Sequence, residues 1–434
     1  MPLPALLPRL PRRTPRRTVP RWLPACLALG LLPPTQAPAA AAWPQFRGPA
    51  GQGHAGAASL PLEWDTDRNV RWKTPVAGHG WSSPVVGHGL VFLTTGVPAA
   101  EGPPALHALA FDLATGALRW NTEVFAAAEN SAQPIHKKNS PASPTPLIEG
   151  GRVYVHFGHH GTACLDLDGR PVWRNRDLGY HPVHGNGGSP ILAGDHLIFT
   201  ADGARDPAVI ALDKHTGRLA WKTPRGVTVK QPFSFATPLL IEVDGRPQVI
   251  APGSGAVMAY DPRDGRELWR VRYGNGYSVI PRPVFAHGLL FLATGFGKPD
   301  LLAIRPGGSG DVTDTHIVWR TSKNAPLTPS LLVVGDELYA VSDTGIATCF
   351  AARTGQVHWE ERVEGNHSAS PLAAEGRIYF QNETGTATVL RAGREFAKLA
   401  TNKLGERTFA SYAVAGDTFL IRTERHLYRI GGGG

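Results

Sequence analysis

The sequence predicts an all-β protein, an eight-bladed β-propeller of four-stranded blades. Three observations predict it. A motif of small residue, any, Asp, two any, Thr-Gly, three any, Trp returns along the 434-residue chain. Ahead of the Trp of each full copy lies a Ser-Pro or Thr-Pro pair followed by two short apolar runs. Finally, a Trp-bearing segment near the N-terminus has no unit of its own, while the last unit lacks its Trp.

The hairpin element comes first. Its full copies are AFDLATGALRW (Ala110 to Trp120), ALDKHTGRLAW (Ala211 to Trp221) and AYDPRDGRELW (Ala259 to Trp269). Weaker copies end at Trp173, where the turn is Asp168-Gly169, at Trp319 after an inserted loop, and at Trp359, where Ala351 replaces the Asp. Successive Trp residues are 53, 48, 48, 50 and 40 positions apart. Apolar residues end one strand, Thr-Gly or Asp-Gly turns the chain, and the Trp stands on the returning strand.

The Pro-headed element supplies two more strands. SPVVGHGLVFLTT (Ser83 to Thr95), SPILAGDHLIFTA (Ser189 to Ala201) and SPLAAEGRIYFQN (Ser370 to Asn382) each read as strand, Gly turn, strand. Four short strands in a period of roughly 40 to 50 residues describe a propeller blade. The first strands begin near Pro84, Pro144, Pro190, Pro238, Pro283, Pro329 and Pro371, with an eighth at Ser411 to Val414. NVRWKTP (Asn69 to Pro75) then supplies the outer strand of the C-terminal blade, carrying Trp72, because a closed ring leaves no blade unpaired.

This pattern, from Asn69 to Ile430, resembles the Trp-docking repeat of the PQQ-like, quinoprotein-type eight-bladed propellers, and is WD40-like in architecture. The resemblance implies that Trp72, Trp120, Trp173, Trp221, Trp269, Trp319 and Trp359 are structural, each packing against a neighbouring blade. The start at Trp43 to Pro49, WPQFRGP, is similar to that of a subgroup of secreted bacterial propellers. The adjacent Cys pair that the family's alcohol dehydrogenases carry beside the quinone is absent from this sequence.

Residues 1 to 42 carry six Arg and no acidic residue before an apolar run, Trp22 to Leu32, and then Ala39 to Ala42. They read as a signal peptide cleaved within the Ala run, which makes the protein periplasmic or secreted. Arg12-Arg13 and Arg16-Arg17 raise a twin-arginine route, and Leu23-Pro24-Ala25-Cys26 a lipoprotein; neither has its surrounding pattern in place. The net charge of +9 includes those six Arg. The mature part has 38 basic against 35 acidic residues, or +3. With no basic run interleaved with aromatics, nucleic acid is a poor partner, and no mature stretch is apolar enough to span a bilayer.

Cys164 and Cys349 occupy the slot that Ala110, Ala211, Ala259 and Ala303 fill elsewhere, in blades facing each other across the ring. Both read as small buried residues and not as a disulfide. Residues 43 to 68, rich in Gly, Pro and Ala, read as a cap or strap anchored by Trp43 and Phe46; residues 431 to 434 are a Gly tail.

In a propeller the loops leading into the inner strands share one face with the loops joining second and third strands. The first set carries Trp81, His136, Lys138, Asn139, His184, Asn186, Tyr277, Arg282 and His367; the second carries His156, His159, Asp202, Asp343 and Glu383. These fourteen are the ligand-binding candidates, forming a polar, basic rim suited to an envelope protein or a small anionic ligand. Solvent-exposed loops are polar anyway, so composition alone does not decide. Three His in HFGHHGTACLD (His156 to Asp166) suggest zinc, but no carboxylate or Cys stands at a regular ligand spacing, and no metal is assigned. Three functions follow: a non-catalytic, monomeric exported scaffold, similar to the propellers of outer-membrane assembly machines; a quinone (PQQ) or small-anion binder using Ca2+, with or without oxidoreductase activity; and a hydrolase or lyase acting on an anionic polymer.

Overall fold

In the computed structural model, which describes residues 42–56, 59–126 and 135–432, each Pro-headed segment becomes the inner strand of an antiparallel sheet. Eight such sheets follow one another along the chain. Blade 1 comprises Val85–Gly87, Leu90–Val97, Ala105–Asp112 and Leu118–Phe125, and blade 3 comprises Ile191–Ala193, His196–Ala201, Ala208–Asp213 and Leu219–Pro224. The expected signal peptide, with its apolar run and all but the last residue of Ala39 to Ala42, lies outside the described residues, as do Gly433 and Gly434. Among the described residues no helix is long and apolar enough to cross a membrane.

Burial follows the sequence pattern. Middle strands are continuous apolar runs because both faces are covered by neighbouring blades; Ala256–Tyr260 is buried throughout. Outer strands alternate, as in Val70–Pro75, where one face meets water. The ring closes as expected: Val70–Pro75 pairs antiparallel with His426–Ile430, placing Trp72 opposite Arg429.

The repeated Trp docks on the next blade's turn. Trp221 Nε1 donates to Pro262 O at 3.1 Å, and Gly265, at φ +72°, lies so close to the indole face that a Cβ there would fall 2.4 Å from Cε3. Trp72, Trp120, Trp173, Trp319 and Trp359 likewise donate to Leu113, Leu167, Lys214, Ala352 and Gly393 carbonyls. The repeat's Asp shapes the turn: Asp213 Oδ1 accepts from the His215 and Thr216 N–H groups and the Thr216 hydroxyl. Opposite each repeated Trp except Trp72 stands the small residue, as Ala211 opposite Trp221 and Cys164 opposite Trp173. Cys164 and Cys349 are free and buried.

Two blades depart from the rule. Trp269 faces blade 5, whose inserted loop replaces the hairpin turn; it bonds Gln248 Oε1 at 2.8 Å instead, and Gly310–Asp311 of that loop adds a parallel fifth strand beside it. Blade 7 has Ala400 where the others have Trp. The turn it would dock on does not exist, because the last two strands of blade 8 come from opposite ends of the chain. Trp64 packs there on Tyr379 and Phe419.

The strap crosses the axis against the inner strands, whose free edges would otherwise leave backbone groups unpaired. Trp43 exchanges both bonds with Val86, Pro44 O accepts from Ile148 N, Gln52 Oε1 accepts from Phe285 N, and Gly53 and Ala55 pair with Ala373. Its Arg47 donates to Leu331 O, and Phe46 O accepts from Arg282.

Candidate functional site

Each inner strand except that of blade 5 is preceded by one hydroxyl that links the blades. The N–H of Ser83 donates to Thr145 Oγ1, that of Thr145 to Ser189 Oγ, and that of Ser189 to Thr237 Oγ1. The series resumes from Arg282 N to Ser330, Ser370, Ser411 and back to Ser83, all at 2.9 to 3.1 Å. Arg282 takes the hydroxyl's position in blade 5, so Thr237 has no hydroxyl to donate to and the ring is interrupted once. In blade 2 the ring hydroxyl is Thr145, which precedes Pro146, two residues beyond the expected Pro144, and in blade 6 it is Ser330, which follows Pro329.

On this ring stands a central funnel of about 460 Å3, with strap residue Phe46 also in its lining. The residue two before each ring position lines it, since side chains on extended backbone alternate. These residues are Trp81, Ser143, Gly187, Phe235, Ile280, Thr328, Ser368 and Phe409. Phe233, Tyr277 and Phe296 join them, with ring centroids 5.7 Å (Phe233 to Tyr277) and 6.4 Å (Tyr277 to Phe296) apart. Trp81 and Phe409 are 4.7 Å apart.

Of the sequence candidates, the structure brings Trp81, His136, Lys138, Asn139, His184, Tyr277 and Asp343 into this lining. Lys138, from blade 2, reaches the carboxylates of blades 6 and 7: its Nζ is 2.7 Å from Glu383 Oε1 and 3.8 Å from Asp343 Oδ1. Asp343 also accepts from the Leu327 and Thr328 N–H groups and the Thr328 hydroxyl, and Glu383 from the Ser368 hydroxyl. The walls are therefore aromatic and hydroxyl-rich. Their one lysine faces two carboxylates, which departs from the basic funnel expected.

The other candidates lie elsewhere. The Arg282 side chain is buried toward the strap, bonded to Pro238 O, Phe46 O and Gln45 Oε1, and burial lowers its pKa to about 9. Asp202 is buried in a bidentate pair with Arg225 at 2.6 and 2.9 Å. His156 is buried between Thr162 and Phe199, its pKa pushed down to about 3 by burial and by His159. His367 is buried too, and burial lowers its pKa to about 4. His159 and Asn186 line a second cavity of about 190 Å3 with His160, Tyr180 and His181, where Asn186 accepts from the Tyr180 hydroxyl.

Sequence reasoning named Phe46 only as a strap anchor and missed Phe233, Phe235, Phe296 and Phe409. The two-residue offset from the hydroxyl position was the available signal for Phe235 and Phe409.

Among the described residues no three His, Cys, Asp or Glu side chains are placed to share a metal ion. A quinone with Ca2+ needs several oxygen ligands beside a stacking face. Aromatic faces are present, but the two carboxylates at the funnel are already engaged by Lys138, so this donor set does not fit that pair. The ring hydroxyls accept from backbone N–H groups of the neighbouring blade.

Comparison with known proteins agrees with the fold. No curated protein matches the chain in sequence. The structure of BamB from Moraxella catarrhalis is similar over 83% of this chain and 99% of that one, with 14% identity and a TM-score of 0.58. The computationally designed Ika8 protein is similar over 82% and 98%, with 12% identity and a TM-score of 0.55. A europium-containing methanol dehydrogenase is similar over 91% and 90%, with 12% identity and a TM-score of 0.51. At these identities the likeness is one of fold. The family model described as outer membrane protein assembly factor BamB matches residues 107–305 and 309–429, most of the propeller, and the chain belongs to this family of PQQ-repeat propellers.

Proposed function

We propose that the protein is an exported, non-catalytic binding module of the cell envelope that holds a polypeptide partner at the mouth of its funnel. One observation carries this reading: among the described residues the funnel offers aromatic and hydroxyl-bearing walls, and its lysine is already paired with two carboxylates. At the mouth Phe296 is 36% exposed, an apolar surface of the kind that marks interaction sites when it is contiguous with others. Membership of a family described as an assembly factor supports it, as does the WPQFRGP-like start. We group the chain with exported propellers opening on such a segment, because Phe46 and Arg47 both serve at the axis.

The test is a photo-cross-linking residue placed at Phe296 and, as a control, at Leu219 on the outer rim, in the native host. A discrete adduct from position 296 alone supports the proposal. Equal labelling from both positions, or none from 296, overturns it.

A further inference from the structure

The pair of carboxylates at the funnel mouth is built to hold a cation, and the cation it holds is supplied by the chain itself. Asp343 is fixed by two backbone N–H groups at 2.8 and 3.1 Å and by the Thr328 hydroxyl, and Glu383 by the Ser368 hydroxyl at 2.6 Å. Both are oriented without help from Lys138. Their side chains are only 14% and 17% exposed, so with the ammonium withdrawn two largely desolvated negative charges would stand unpaired, Asp343 in the cavity lining and Glu383 beside it. Lys138 is itself 31% exposed and is carried on the loop around His136 to Asn139, which is tied to His184 O by two hydrogen bonds. Trp81, which lines the cavity, has an indole N–H with no acceptor among the described residues.

We propose that Lys138 is a resident occupant of a binding site for an alkylammonium or guanidinium group. The incoming group replaces the lysine ammonium between Asp343 and Glu383. Its aliphatic stem lies along the aromatic wall of Trp81, Phe409, Tyr277 and Phe296, where ring faces favour a cation and apolar surface favours the stem. The source is either a free amine or a Lys or Arg side chain of the partner. The inference rests on the binding reading above only in taking the funnel as the site.

The test is calorimetric titration of the mature protein with 1,5-diaminopentane, with the peptide acetyl-Ala-Lys-Ala-amide, and with glutarate as the anionic counterpart. Lys138→Met removes the internal competitor and is expected to bind the amines at least tenfold more tightly than the native chain. Glu383→Gln, made alone and in that background, is expected to weaken amine binding at least tenfold. Peptide bound in preference to diamine assigns the site to a partner's side chain; the reverse assigns it to a free amine. No gain from Lys138→Met in a variant with native circular dichroism, or tighter binding of glutarate than of either amine, overturns the proposal. If Lys138→Met does not fold, amine binding by the native chain that survives Glu383→Gln unchanged overturns it as well. A cross-link from position 296 without amine binding removes this inference and leaves the scaffold reading standing; amine binding without a cross-link does the opposite.

Discussion

Replacing Trp221 by Ala tests the blade-to-blade dock directly. The side chain is 8% exposed and packs in the layer between blades 3 and 4, with Ile191, Ile198, Val249, Met258 and Tyr260 in the same cluster. Removing a buried Trp to Ala costs about 3 to 5 kcal/mol through lost transfer energy and the cavity left behind. The bond to Pro262 O is lost with it. Unfolding entropy near 2.1 cal/mol/K per residue gives roughly 0.8 kcal/mol/K for the ordered chain, so the melting midpoint is expected to fall by about 4 to 6 °C. Scanning calorimetry of the mature protein reads this. Gly265→Ala probes the same contact from the other side, since its Cβ would meet the indole and its φ of +72° disfavours Ala. In the double variant the clash disappears and only the backbone cost remains, so the two changes should be less than additive. A Trp221→Ala midpoint within 1 °C of the native one, or strictly additive changes, would refute the docking argument.

Further outcomes follow from groups buried away from the funnel. Asp202→Asn leaves the Arg225 guanidinium charged in the core and is expected to cost about 3 to 5 kcal/mol in a urea titration. The buried His156, His160 and His367 have pKa values lowered by burial to about 3, 4 and 4. They remain neutral in the fold but protonate in the unfolded chain. Stability is therefore full above about pH 6.5 and is lost as pH falls toward 4, with a slope of up to roughly 4 kcal/mol per pH unit for three protons. Urea midpoints from pH 6.5 to 4.5 measure this, and His156→Leu should make the slope shallower by about a third; a flat profile would contradict the burial argument.

The fold was legible because a propeller repeats its grammar. Asp, Thr-Gly and Trp are separated by fixed short intervals within one hairpin, so local chemistry reports them. Ring closure was legible because Trp72 lacked a unit and the last unit lacked a Trp. The vacancy at Ala400 was not, because it follows from where the chain begins and ends in the ring. The site was harder to read. Loop composition named Lys138, Asp343 and Glu383, but only the ring brings blade 2 to face blades 6 and 7. Arg282, Asp202 and His156 look like rim residues in a string of letters; they turn inward because a buried carbonyl, an arginine or an aromatic ring from a distant segment meets each one.

The most direct measurement of the central claim is a native mass spectrum of the mature protein purified from its host's envelope. Binding of a polypeptide partner at the funnel predicts added mass of polypeptide size that is lost when Phe296 and Phe409 are replaced by Ser. A chain carrying only a quinone or another small molecule, or a partner retained by that variant, would contradict it.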